Sequence, residues 1–298
     1  MKYFDFVGKR RIFISISVVL VAISLIFIFT RGFNFGVEFL GGSELILRVE
    51  SSNFTEADVR KVLGEISSDF ASARVTRVRS IGDPENILKF SLTLTKTFMA
   101  EEKADLQAQI ESKISEKNIK GQVISFNETG GSAAEEIRRL TWRAVIITLV
   151  AILVYITLRF NFVFGVGATL ALVHDVVVTM GFFSFFNYEL NVPAVAAFLT
   201  LIGYSLNNTI IVYDRVRENM KKFKGKQIAS IVNDSINQVF RRTVNTSLTT
   251  FFVVFVLLLF AGNAIKPFAF GMTIGTIVGT YSSIYIASPL VIRWVKNR

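Results

Sequence analysis

GYSLNNTIIVYDRVREN, residues Gly203–Asn219, decides how this chain folds. It starts inside an apolar run and ends among basic residues, so it marks a membrane helix leaving the bilayer. Two adjacent amides, Asn207 and Asn208, stand where such a helix ordinarily carries Leu or Val. Polar groups at that depth are costly unless they pair or perform a task.

The surrounding sequence agrees with a membrane assignment. The chain of 298 residues is 51% hydrophobic, with a mean hydropathy of +0.49, too apolar for an ordinary soluble domain. Six apolar segments run over Ile12–Thr30, Thr141–Leu158, Phe162–Phe186, Val192–Tyr213, Thr243–Ala261 and Phe268–Ile292. Each is close to the ~20 residues that cross a bilayer core as a helix. The first, behind Lys9-Arg10-Arg11, is too long for the core of a cleaved signal peptide and reads as a retained anchor. The absence of cysteine excludes disulfides and thiolate chemistry, and the single histidine, His174, excludes a multi-histidine metal site. A net charge of +10 does not point to nucleic acid, because excess Lys and Arg in short membrane loops reports orientation.

Basic residues flank the spans unevenly. Lys2, Lys9, Arg10 and Arg11 precede the first. Arg159 follows the second. Arg215, Arg217, Lys221, Lys222, Lys224, Lys226, Arg241 and Arg242 lie between the fourth and fifth, and Arg293, Lys296 and Arg298 close the chain. This places both termini and the basic loop 214–242 in the cytoplasm. Arg138, Arg139 and Arg143 run against the rule, next to a long exported segment where the rule is weak. Residues 1–31 thus form a tail and first span, 32–138 an extracytoplasmic domain, and 139–298 five further spans.

Within the exported domain, Glu44–Val49 alternates like a strand. Thr55-Glu56-Ala57-Asp58 is a capping box opening a helix through Ile66. Arg74–Ile81 and Ile87–Thr95 read as strands joined by a turn at Gly82-Asp83-Pro84. Met99–Lys117 has helical spacing, and Gln122–Asn127 reads as a last strand. The order βαββαβ predicts a ferredoxin-like layer of helices on an antiparallel sheet.

In the basic loop, Ile228, Ile231, Val232, Ile236 and Val239 recur at helical spacing. That pattern fits a helix lying on the membrane surface or one packed under the bundle. No phosphate-binding loop and no Ser/His/acid set is present, so the chain is read as a non-enzyme. The intramembrane polar set is His174, Asp175, Asn207, Asn208, Thr209 and Asp214, with Arg242 at the base of the fifth span. Such groups line ion paths or pair with one another. The plainer reading puts His174, Asp175 and Asp214 at the cytoplasmic interface and makes the amides a helix–helix bond. Gly271, Gly275 and Gly279 form a small-residue row on the last span, and Thr243, Thr246, Ser247, Thr249 and Thr250 line the fifth. Pro193 fits the first turn of the fourth span.

These residues also carry a resemblance. GYSLNNTIIVYDRVREN, with Gly203 and Arg215 among its fixed positions, is similar to the GYSxNDTxVVxDRxREN signature of the SecF branch of the bacterial SecD/SecF protein-export family, within the RND superfamily. Gly36-Val37-Glu38-Phe39-Leu40-Gly41-Gly42 resembles its GxDFxGG motif. Tyr155–Phe160 and Ala171–Asp175 resemble its YIxxRF and HD segments, and Arg241–Thr250 its RTxxTSxTT segment. The resemblance covers the whole chain. It implies a SecD partner, the SecYEG translocon with YajC and YidC, preprotein substrates, and no cofactor beyond an ion gradient of H+ or Na+. It implies an inner-membrane location and an ion-coupling site at Asn208 and Arg242, with Asn207, Asp214, His174 and Asp175 nearby.

Two positions depart from the pattern. Glu38 replaces an Asp and keeps its charge. Asn208 replaces the Asp of the relay, and an amide does not release a proton as a carboxyl does. Three explanations stay open: the partner's own carboxylate suffices, the amide oxygen helps ligate Na+, or the Asn is an engineered neutral mimic of Asp. Two other readings remain, half of an RND-type small-molecule exporter and a non-transporting assembly subunit.

Overall fold

The structure, a computed structural model, describes residues 3–78, 84, 86–159 and 162–295, apart from the side chains of Ser72, Arg293, Trp294 and Val295. Gly82 and Asp83 of the expected turn, the strand end beyond Val78, Phe160, Lys2, Lys296 and Arg298 lie outside the described residues.

The longer helices are α1 (Arg10–Arg31), α2 (Glu56–Ile66), α3 (Ala100–Ser115), α4 (Gly131–Arg159), α5 (Phe162–Phe186), α6 (Val192–Lys222), α7 (Ile228–Phe260) and α8 (Lys266–Ser282, continued by a π-turn at Ser283–Ala287 and by Ser288–Val295). The strands longer than two residues are β1 (Gly42–Glu50), β2 (Arg74–Val78), β3 (Ile87–Leu94) and β4 (Lys120–Thr129). α1 and α4 to α8 are long and apolar enough to cross a membrane. The chain forms two compact units, one of Met1–Asn34, Arg143–Leu258 and Ala264–Arg298, the other of Phe35–Trp142 with Leu259–Asn263.

The second unit has the ferredoxin-like topology. Its sheet order is β2-β3-β1-β4 with antiparallel neighbours. Leu45, Leu47 and Val49 of β1 face the core and pair with Leu92, Phe90 and Leu88. Thr55 starts α2 as the sequence predicts: its N–H donates to Asp58 Oδ2 at 2.9 Å, and Asp58 N–H returns a bond to Thr55 Oγ1 at 3.3 Å. Val59, Val62 and Leu63 then turn inward to the sheet. On α3, Leu106, Ile110 and Ile114 do the same. Each such fully buried side chain stabilises the unit by about 1.5–3 kcal/mol.

The membrane unit is organised around α6 and α8. These run in the same direction, matched in steps of four residues. Gly271 faces Ala197, Gly275 faces Leu201 and Gly279 faces Ser205. One turn further, Thr209 Oγ1 and Ser283 Oγ are 3.0 Å apart, and a turn beyond that Tyr213 OH donates to Ala287 O at 3.0 Å, both with a sequence separation of 74. Glycine on one side lets the backbones approach closely enough for the hydroxyl bonds to form. The π-turn lies just before Pro289, which lacks the N–H that would close the preceding α-turn.

Segment 214–242, expected as a basic connection carrying a helix over 228–239, is mostly helix. α6 runs to Lys222 and α7 starts at Ile228, so both leave the apolar segments as amphipathic extensions. The helix at 228–239 is packed under the bundle: Val232 and Ile236 join Val216 and Phe6 in its core. Asn219 Nδ2 donates to Ser235 Oγ at 2.8 Å and Gln238 Oε1 at 2.9 Å, tying the two extensions together. The N-terminal tail docks on α7, where Asn233 Oδ1 accepts from Phe6 N–H and Val7 N–H at 2.8 and 3.1 Å. Pro193 occupies the first turn of α6 as expected, behind Asn191, whose side chain accepts Ala194 N–H at 3.0 Å.

Candidate ion-coupling site

The mid-span polar residues form an interior layer. His174 and Asp175 sit midway along α5, not at a helix end as the plainer reading had it, because α5 has the same apolar length on both sides of them. His174 is 7% exposed and Asp175 is fully buried. Asp175 gathers three partners: His174 Nδ1 lies 3.0 Å from Oδ1, while Ser205 Oγ and Ser282 Oγ donate to Oδ2 at 2.5 and 2.7 Å. One carboxylate thus joins α5, α6 and α8 at the level where Gly279 meets Ser205. A buried charge needs such satisfaction, and hydroxyls facing a carboxylate supply it without a counter-ion.

Ser205 lies one turn before Asn208 on α6, and both are fully buried. Asn208 Nδ2 reaches Ser247 Oγ of α7 at 3.5 Å, the outer limit of a hydrogen bond, and Thr280 Oγ1 of α8 donates to the same Ser247 Oγ at 2.7 Å. Asn208 Oδ1 has no hydrogen-bond partner among the described residues. Leaving such an acceptor unmet costs about 1–3 kcal/mol.

The other expected residues are placed elsewhere. Asn207 and Gly203 are on the exposed face of α6. Arg242 is exposed on α7 with Asn245, Thr246 and Thr249, whereas Thr243 and Ser247 turn inward. Arg242 and Asn208 therefore occupy different faces of this chain. Asp214 sits at the base, where Arg159 Nη2 lies 3.0 Å from both its carboxylate oxygens. Arg215 pairs with Glu218 at 2.6 Å and with Gln238 at 2.5 Å. These contacts brace the ends of α4, α6 and α7. Gly271 and Gly275 belong to the α6–α8 seam. Ser205, Ser282 and Ser283 were not singled out by sequence. Ser205 had a signal in its place one turn before Asn208, but Ser282 and Ser283 had none.

The glycine motif lies in the other unit. Gly36 caps the short helix Val37–Leu40, whose Phe39 is buried. Gly41 and Gly42 leave it at φ +78° and +118°, and a Cβ on Gly42 would lie 2.1 Å from Leu94 O. Only glycine meets both demands. Burial pushes the Glu38 carboxyl above its ordinary range, with Glu44 adding repulsion.

The comparisons with known proteins follow the same motifs. The family profile described as protein export membrane protein SecD/SecF, C-terminal, matches residues 109–297, and that of the SecD/SecF GG motif matches residues 26–52. The chain is 49% identical to the protein translocase subunit SecF of Petrotoga mobilis, covering 100% of this chain and 98% of that one. It is 36% identical to the protein translocase subunit SecDF of Thermus thermophilus over 99% of this chain, and it spans 39% of that longer protein. The crystal structure of SecDF, a translocon-associated membrane protein from the same organism, matches with a TM-score of 0.86 at 35% identity, covering 100% of this chain and 39% of that one. Alike to SecF subunits from end to end and to SecDF in three dimensions, the chain belongs to the SecD/SecF family of protein export membrane proteins.

Proposed function

We propose that this chain is the SecF half of a SecD–SecF pair in the bacterial inner membrane, with both termini cytoplasmic. In this reading it uses the ion-motive force, carried by H+ or Na+, to assist Sec-dependent preprotein export after SecA has driven translocation. Its wider partners are SecYEG, YajC and YidC.

The observation that carries the reading is the exposed polar face of α6 and α7. Asn207, Arg242, Asn245, Thr246 and Thr249 are all exposed on helices apolar enough to span the membrane. An arginine and amides facing hydrocarbon are expensive, and a second helical bundle removes that cost. The Thermus thermophilus relative, named SecDF and of which this chain spans 39%, supports SecD as that bundle. Arg242 then points to the partner, where a carboxylate of SecD supplies the titrating group that Asn208 lacks, or Asn208 Oδ1 helps ligate Na+. Asn207 lies on the same interface, His174 and Asp175 lie behind it, and Asp214 holds its cytoplasmic end.

The test is Arg242→Ala in a strain depleted of the native subunit. The expected result is loss of export stimulation with normal assembly on SecD. Unchanged preprotein export would sink the role of Arg242. Co-purification with a periplasmic adaptor in place of the translocon would favour a small-molecule exporter.

A further inference from the structure

Asp175 is the one acidic residue inside the six apolar segments. His174, beside it, is the one histidine of the chain. Two hydroxyls donate to Asp175 Oδ2, and His174 Nδ1 lies 3.0 Å from Oδ1. With Asp175 ionised, Nδ1 carries the proton of that contact, and in the neutral ring Nε2 then carries a lone pair. Nε2 is buried and has no hydrogen-bond partner among the described residues. A structural brace would need only the Nδ1 bond. A buried, unpaired nitrogen base backed by a fixed carboxylate has the makings of a proton acceptor.

We propose that His174 and Asp175 form an exchangeable proton-binding site inside this chain's bundle, with His174 Nε2 as the atom that takes the proton. In the empty state the pair carries one negative charge, held by Ser205 and Ser282. Loading adds one proton to Nε2. No bond breaks, and the pair becomes an imidazolium against a carboxylate with no net charge. Unloading returns the same proton. The change in charge falls where α5, α6 and α8 meet, so occupancy alters how strongly the carboxylate draws on the two serine hydroxyls that join those helices.

Few other groups act on the site. α1 between Arg11 and Arg31, α6 between Val192 and Tyr213, and α8 between Phe268 and Ile292 carry no acidic or basic residue. The titratable groups on these elements are tyrosines. Tyr281 has its ring 6.2 Å from that of His174, its hydroxyl donating to Phe13 O at 2.6 Å. Tyr285 lies beyond it, 5.4 Å from Tyr281. Tyr204 and Tyr213 lie on α6.

The site rests on the ion-coupled reading above in one respect: it adds, within this chain and alongside the carboxylate of SecD, a titrating group that position 208 lacks. The first test is independent of transport. Histidine-selective 15N NMR of the full chain in lipid nanodiscs reads one residue, His174. The expected result is the Nδ1–H tautomer at high pH, protonation of Nε2 in one step as pH falls, and a titration moved down by about one pH unit or more in Asp175→Asn. If Asp175→Asn does not fold, Ser282→Ala keeps the carboxylate but removes a donor from it, and moves the titration upward. An Nε2–H tautomer, an imidazole that stays neutral throughout the folded range, or a titration that neither variant moves overturns the site. The second test is export driven by an ion gradient, with the partner present. Asp175→Asn should lose it, and Asp175→Asn with Asn208→Asp should regain part of it. A double variant as inactive as Asp175→Asn, where Asn208→Asp alone is active, overturns the substitution of one carboxyl for the other. No gradient-driven export by the unmodified chain would refute the transport reading while leaving the titration intact.

Discussion

Adding one methyl group to Gly275 tests the α6–α8 seam. A Cβ there would lie 2.6 and 2.8 Å from the two methyls of Leu201 and 3.0 Å from its Cγ. Leu201 is fully buried between the helices, so its flexible end has nowhere to go. Overpacking of this kind costs about 1–3 kcal/mol. Leu201→Ala alone leaves a cavity; such changes cost ~2–5 kcal/mol in water-soluble cores. The cost here falls at the low end, because in the unfolded reference the Leu still sits in lipid. Together the two changes exchange one methyl contact for another. The double variant should be more stable than the sum of the singles by about 1–2 kcal/mol, in the range found for residues in contact. Unfolding of the purified chain by SDS in mixed micelles, followed by far-UV circular dichroism, measures all four corners of the cycle. A neutral Gly275→Ala, or strict additivity, would refute the close approach and with it the hydroxyl bonds of the same seam.

Two predictions concern the α/β unit. Thr55→Ala removes a capping-box partner and should cost about 1 kcal/mol in thermal unfolding. Its hydrogen bonds to Thr55 hold Asp58 below the usual carboxylate range. The capping contribution is therefore present above the unfolded value of about 3.9 and is lost as pH falls through the folded one, so wild type and Asp58→Asn should converge in strong acid. Glu38 works in the opposite sense. Its carboxyl is raised by burial, so the folded state holds the proton longer and stability falls as pH rises from about 4.3 through the folded value. Glu38→Gln should raise the melting temperature at neutral pH and leave it unchanged in acid; a lowered melting temperature at neutral pH would mean that the charge is needed there.

The spans and the ferredoxin-like unit were legible because each follows from a local pattern. Apolar length gives a helix that crosses a membrane. Alternation in Glu44–Val49 and the Thr55–Asp58 box give a strand and a helix start, and each appears where the pattern puts it. In the connection 214–242 the helical spacing of Ile228–Val239 was legible, but the run of α6 on to Lys222 was not: its charges suggest water, whereas a helix can continue into water if one face stays covered, as Val216 and Val232 are. Ser282 was invisible because one serine in an apolar helix looks like packing; its meaning depends on Asp175, 107 residues away. The facing of Asn208 was equally hidden. Arg242 and Thr243 are neighbours in sequence, yet one is exposed and the other buried, and no spacing rule says which of them a distant amide will meet.

The most direct measurement is preprotein export into proteoliposomes that contain this chain, SecD and the translocon, with a proton or sodium gradient imposed after SecA-driven translocation has begun. The account predicts that one of these gradients increases completed export with the unmodified chain, and that Arg242→Ala abolishes the increase while the complex stays assembled. Equal export with and without either gradient, or an increase that survives in Arg242→Ala, would contradict it.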